Sequence, residues 1–114
     1  MISLNVSKIW VEILIKFWKQ KDIESIIEMF EKGAECYDTP FVKSNDVEND
    51  WEEIKEQDIV SLTYEILSGD ENNFVVNFKL ELKNQFIDVI NHIKLNKSNK
   101  CYYLKQWYME KQMQ

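Results

Sequence analysis

Apolar side chains recur at three- and four-residue spacing in the first half of the chain and alternate with polar ones in the second. The first pattern is one face of an α-helix, and the second is a strand covered on one side. Val6, Trp10, Ile13, Leu14, Phe17 and Trp18 form the first helical stripe, opposite Lys8, Glu12, Lys16 and Lys19. Ile9, Val11 and Ile15 widen it, which predicts a helix to about Gln20 covered on more than one side. Asn5 or Ser7 can cap this helix. Asp22 caps a second one carrying Ile23, Ile26, Ile27 and Phe30, with Glu24 where the dipole favours an acid. Gly33 suits the positive φ of a helix C′ position, Ala34 to Tyr37 reads as a short strand, and Pro40 ends it. Within the acidic stretch Lys43 to Gln57, Asp46 caps a third, shorter helix with Val47, Trp51 and Ile54 on one side. Its many carboxylates read as a solvated face.

From Ile59 the period becomes two. Val60, Leu62, Tyr64 and Ile66 share one face of a strand, and Ser61, Thr63 and Glu65 the other. Residues 68–73 are a turn cluster. Phe74, Val76, Phe78, Leu80 and Leu82 then alternate with Asn77, Lys79 and Glu81. Lys83-Asn84 links to a strand from Gln85 to Leu95, and residues 96–99 link to a last strand from Lys100 to about Glu110. Lys111 to Gln114 is expected to fray. Helices first and an antiparallel meander afterwards predict an α+β domain over residues 1–114, with the helices laid on one face of the sheet.

Composition narrows the function classes. A net charge of −6 works against nucleic acid and anionic membrane, which both need a positive footprint. All 14 basic residues are lysine, so no guanidinium fork is present to grip a phosphate. No run is long and apolar enough to cross a membrane. The start of the chain lacks the features of an export signal, which predicts a cytoplasmic protein with reduced, buried thiols at Cys36 and Cys101. One histidine and two distant cysteines do not make a zinc site, and the sequence calls for no metal or cofactor.

The order of these elements resembles the nuclear transport factor 2-like superfamily, which includes ketosteroid isomerases, polyketide cyclases and scytalone dehydratase. The resemblance rests on a long first helix, on DIESIIEMFEKGAECYDTP from Asp22 to Pro40, and on the closing hairpin FIDVINHIKLNKSNKCYYLKQWY. It covers nearly the whole chain. It implies a curved, cystatin-like sheet wrapped around the helices as a cone, an apolar pocket at the open end, and frequent dimers. Asp38 matches the place of the isomerases' proton-abstracting aspartate, with a threonine between it and Pro40. Asn91 matches the strand position of the acid that donates to the oxyanion, and Leu14 falls where those enzymes carry a phenol. One donor is thus an amide and the other is missing. Because such a donor contributes about 2.7–4 kcal/mol, the same isomerisation is not expected here.

The residues also have readings of their own. Asn91 is the one polar member of the row Ile87, Val89, Asn91, Ile93 and Leu95. A buried amide there either bonds backbone or water, or orients a ligand. Asp38 either bonds its own turn or offers a carboxylate to a pocket. Trp18, Tyr37, Trp51, Tyr103 and Trp107 are candidate walls for a flat apolar ligand, or ordinary core aromatics. His92 falls on the face opposite Asn91. Two functions compete. One is a pocket protein binding a small apolar molecule, with acid/base chemistry of the isomerase or cyclase kind, in which Asp38 is base or anchor and Asn91 a hydrogen-bond donor. The other is a non-enzymatic module that forms a homodimer through its sheet. A cavity of about 300 Å³ holding both polar groups is the expectation that separates them.

Overall fold

The computed structural model describes residues 5–39, 41–44 and 46–112. Helix α1 spans Asn5–Gln20, helix α2 Ile23–Glu28 and helix α3 Val47–Glu52, the last continued by one 3-10 turn at Glu53–Glu56. The strands are β1 Phe30–Thr39, β2 Val42–Ser44, β3 Ile59–Gly69, β4 Asn73–Leu82, β5 Gln85–Leu95 and β6 Cys101–Gln112. They form one sheet in the order β2-β1-β6-β5-β4-β3. The predicted meander from β3 to β6 is antiparallel, and β1 joins it parallel to β6, which makes the sheet mixed. The architecture is α+β: a curved sheet wrapped around the N-terminal helices. Among the described residues no helix is long and apolar enough to cross a membrane.

Helix α1 seats its stripe on the inner face of the sheet. Trp10 meets Phe30 and Phe74 edge-on, with ring centroids 6.1 and 6.4 Å apart. Eight residues further on, Trp18 meets Phe78 at 5.6 Å and Trp51 of α3 at 5.2 Å. Edge-to-face pairing of this kind adds about 0.5–1.5 kcal/mol to the burial itself. The arc of α1 is narrower than expected, because Ile9 and Ile13 are exposed. Asp22 and Asp46 cap as the sequence indicates, accepting from the backbone N–H of Ser25 and Asn49. Ser7 is a buried residue inside α1 rather than its cap. The Pro40 stop, the Asn5 side chain and residues 113–114 lie outside the described residues. Lys111 belongs to β6, where it pairs with Phe86 instead of fraying.

Of the register shifts among the described strands, three bear on the site. Helix α2 stops before Phe30, and Gly33 sits inside β1 at φ +77°, in the interval where β1 and β6 lose register. The glycine thus serves a strand irregularity rather than a helix end. In β3 the register slips at Val60, which turns outward and is 61% exposed, while Ile59 takes the place beside the core. In β6 it slips between Cys101 and Tyr103, which face Leu95 and Lys94. One extra residue moves every later side chain to the other face. The inner row of β6 is therefore Leu104, Gln106, Tyr108 and Glu110.

Candidate functional site

A cavity of about 320 Å³ opens between the C-terminal half of α1, α3 with its 3-10 turn, and the inner sheet face. Its walls are largely apolar: Leu14 and Trp18 from α1, Trp51 and Ile54 from α3 and its extension, Phe78 and Leu80 from β4. Trp18 is fixed by its indole Nε1–H, which donates to Gln57 Oε1 at 3.0 Å. At this end of the inner face β1 contributes Asp38, and β6 contributes Gln106, Tyr108 and Glu110.

Asn91 lies on that inner face. It is 4% exposed, and its Oδ1 is buried without a hydrogen-bond partner. Such an orphan costs about 1–3 kcal/mol. Gln106 pairs with Asn91 across β5 and β6, and Gln106 Nε2 donates to Asp38 Oδ1 at 3.1 Å. Asp38, Gln106 and Asn91 therefore stand in one lateral row on three adjacent strands. Two strand spacings put the ends of the row about 10 Å apart. Asp38 is exposed at the cavity mouth, and Asn91 is deep.

Of the residues singled out in the sequence, Trp18, Trp51, Asp38 and Asn91 line this cavity. Tyr103 and Trp107 do not, because the slip in β6 turns them to the outer face. There Tyr103 packs against His92 at 5.4 Å, and the Lys94 ammonium lies 4.6 Å from its ring centroid. Tyr37 borders the cavity, yet its ring is also on the outer side, 6.0 Å from Tyr103 and bonded to Glu35 through its hydroxyl. Cys36 and Cys101 are buried and free. Burial, reinforced by Asp50 and Glu35, pushes the Cys36 thiol up to about 12, and burial raises Cys101 likewise. Neither is a nucleophile at neutral pH.

Sequence reasoning missed the mouth. Asp50, Glu53 and Glu110 join Asp38 around the opening, with Tyr108 among them. The stretch Lys43 to Gln57 is thus not wholly a solvated face. Asp50 falls three residues after Val47 and one before Trp51, inside the apolar stripe of α3, and that spacing was the available signal. Desolvation raises the Asp50 carboxyl above its ordinary value, against the lowering effect of the Ser44 hydroxyl that donates to it at 2.7 Å. Glu53 is raised by desolvation and by the charges of Asp38, Asp50 and Glu110. Tyr108 is raised by Asp38 first, then by burial, Glu110 and Glu53.

A raised carboxyl favours the fold below its unfolded-state value and loses that contribution as pH rises through the folded-state value. Glu53→Gln is therefore expected to raise the melting temperature at pH 7. The gain should shrink as pH falls through the carboxylate range, as thermal unfolding at several pH values would show. A gain that grew toward acid pH would contradict the repulsion at the mouth.

No protein-family model matches the chain, and no curated protein matches it. Solved structures do. A steroid delta-isomerase from Pseudomonas aeruginosa superposes with a TM-score of 0.71 at 9% identity, over 96% of this chain and 84% of that one. A protein of unknown function from Burkholderia xenovorans, described as NTF-2 like, superposes at 0.73 and 8% identity, over 93% and 84%. The chain has the nuclear transport factor 2-like fold. The same fold is found in an epoxide hydrolase/cyclase-like enzyme of pyran ring formation in the polyether salinomycin, at 0.68 and 16% identity over 90% and 89%. Identities this low speak for the nuclear transport factor 2-like architecture and leave the activity to the site itself.

Proposed function

We propose that this nuclear transport factor 2-like protein holds a small, largely apolar molecule in its cavity and performs acid/base chemistry on it. The observation that carries the reading is the orphaned Asn91 Oδ1 in a cavity of about 320 Å³ that also presents Asp38 at its mouth. Pockets that bind small molecules pair apolar walls with a few placed polar groups. Trp18 and Trp51 serve as walls, Asp38 as base or polar anchor, and Asn91 as the deep polar contact. Asn91 offers an amide, so a group that both donates and accepts, such as a hydroxyl, fits it.

An NMR titration with 2-naphthol tests the pocket. Shifts should gather at the Trp18 and Trp51 indoles and the Asn91 side-chain amide, and vanish in Val89→Trp, which fills the cavity. Shifts confined to Tyr103 and Trp107 on the outer face would defeat the reading. Solvent-deuterium exchange at the α-carbon of 2-tetralone tests the chemistry, with acceleration by the protein that disappears in Asp38→Asn.

Exposed Ile90 pairs with exposed Trp107 across β5 and β6, close to Met109, and these favour the second reading, a homodimer through the outer sheet face. Sizing with light scattering decides it, and a monomer at high micromolar concentration would remove it.

A further inference from the structure

We propose that the molecule this cavity takes is a cationic amphiphile, with an ammonium group among the mouth carboxylates and a hydrogen-bonding group meeting Asn91. The inference rests on the pocket reading above and adds the class of ligand. Asp38, Asp50, Glu53 and Glu110 come from β1, α3, the 3-10 turn and β6, and they converge on one opening. No lysine or histidine lines the cavity. Among the described residues the one ion pair is Lys55 with Glu52, outside the cavity, so none of the four carboxylates is neutralised by a neighbouring cation. Of the two lysines on β6, Lys105 lies on the outer face over Tyr37 and Trp107, and Lys111, exposed beside Glu110 in the chain, makes no ion pair with a mouth carboxylate.

The hydrogen bonds the four carboxylates accept are few and come from neutral groups. Asp38 accepts from Gln106, Asp50 from Ser44 and Glu110 from Gln85. No cation offsets their mutual repulsion; desolvation first, and neighbouring carboxylates after it, raise the Asp50 and Glu53 carboxyls. A neutral apolar ligand entering this opening would strip water from the carboxylates and return nothing. An anion would add to the repulsion. A metal ion is a poor match, because among the described residues no three acidic, histidine or cysteine groups stand close enough to hold one. An ammonium on an apolar stem meets each condition, since it relieves the repulsion diffusely and needs no fixed coordination geometry.

The independent mark of a ligand is Asn91, whose buried Oδ1 has no partner at the deep end of the same cavity. The row from Asp38 to Asn91 spans about 10 Å, two strand spacings. The ligand is thus an apolar body with an amine at one end and a hydrogen-bonding group such as a hydroxyl at the other.

The experiment is calorimetric titration at pH 7 with four compounds. These are 6-(aminomethyl)-2-naphthol, 6-(hydroxymethyl)-2-naphthol, 6-hydroxy-2-naphthoate and 2-(aminomethyl)naphthalene. The aminomethyl naphthol is expected to bind about tenfold tighter than its neutral hydroxymethyl analogue at low salt, with the carboxylate weakest. High salt should narrow the gap. The double variant Glu53→Gln/Glu110→Gln should reduce it to about threefold or less. Glu65→Gln/Glu71→Gln, with the same change of net charge away from the mouth, should leave it. Loss of the phenol in 2-(aminomethyl)naphthalene should weaken binding to the native protein but not to Asn91→Leu. Equal binding of the amine and its neutral analogue, or an amine preference that survives in the mouth variant, overturns the inference and leaves the pocket reading standing. Absence of binding by all four compounds removes both.

Discussion

Phe78→Ala is expected to lower the free energy of unfolding by about 3–5 kcal/mol, read as a fall in the urea midpoint at unchanged slope. Phe78 is 1% exposed and meets Trp18 edge-on at 5.6 Å. Truncation removes the ring's burial and its aromatic contact, and leaves a void that β4, hydrogen-bonded on both sides, cannot close. Against a total stability of about 5–15 kcal/mol the loss is large. Phe74→Ala is the matched control. It is as deeply buried and meets Trp10 in the same way, but it does not line the cavity. Both variants should lose similar stability. Only the Phe78→Ala void is continuous with the cavity, and 2-naphthol is too large for a closed void left by one phenyl ring. Only Phe78→Ala should therefore gain stability beyond the native protein's own response on addition of 2-naphthol, by mass action on the folded state. Equal rescue of the two, or of neither, would mean that the cavity does not reach Phe78.

Asn91→Leu should move stability the other way. Removing a buried acceptor without a partner, and putting an apolar side chain of similar shape in an otherwise apolar row, is expected to stabilise the fold by about 1–3 kcal/mol. The neighbours along β5, Val89 and Ile93, are buried and apolar, and the adjoining cavity has room for the extra methyl volume. Most core substitutions destabilise, so the sign is the test. A loss of stability would show that the amide is bonded in the folded protein and is structural. A gain together with loss of the phenol's contribution to ligand affinity would mark Asn91 as kept for a ligand at the expense of the fold. Proteins break local rules most often at such sites.

Strand alternation made much of this site legible. The row Ile87 to Leu95 exposed Asn91 as its one polar member because side chains on a strand alternate without exception until the register slips. Asp22 and Asp46 announced their helices because capping is local chemistry, settled within four residues. Trp18 and Trp51 announced themselves in the same way, since helical spacing alone put each on a buried stripe. The errors fell where local rules meet a choice made elsewhere. Gly33 suits a helix end and a strand irregularity equally, and only the pairing of β1 with β6 decides between them.

Two matters belonged to the tertiary structure alone. One is the facing of β6, where Tyr103 and Trp107 carry the composition of a ligand wall but point outward. A slip beside Tyr102 inverts everything after it, and nothing in that stretch distinguishes a slip from regular alternation. The other is the acidic mouth. Residues 38, 50, 53 and 110 sit on four different elements, and although the sequence singles out Asp38, nothing in it brings the other three beside that residue. The sequence determined the elements, their inner faces in β4 and β5, and the lone amide, because those follow from short-range periodicity. Their convergence into a charged opening over an apolar cavity was decided by sheet order and strand register, which are long-range and leave no local trace.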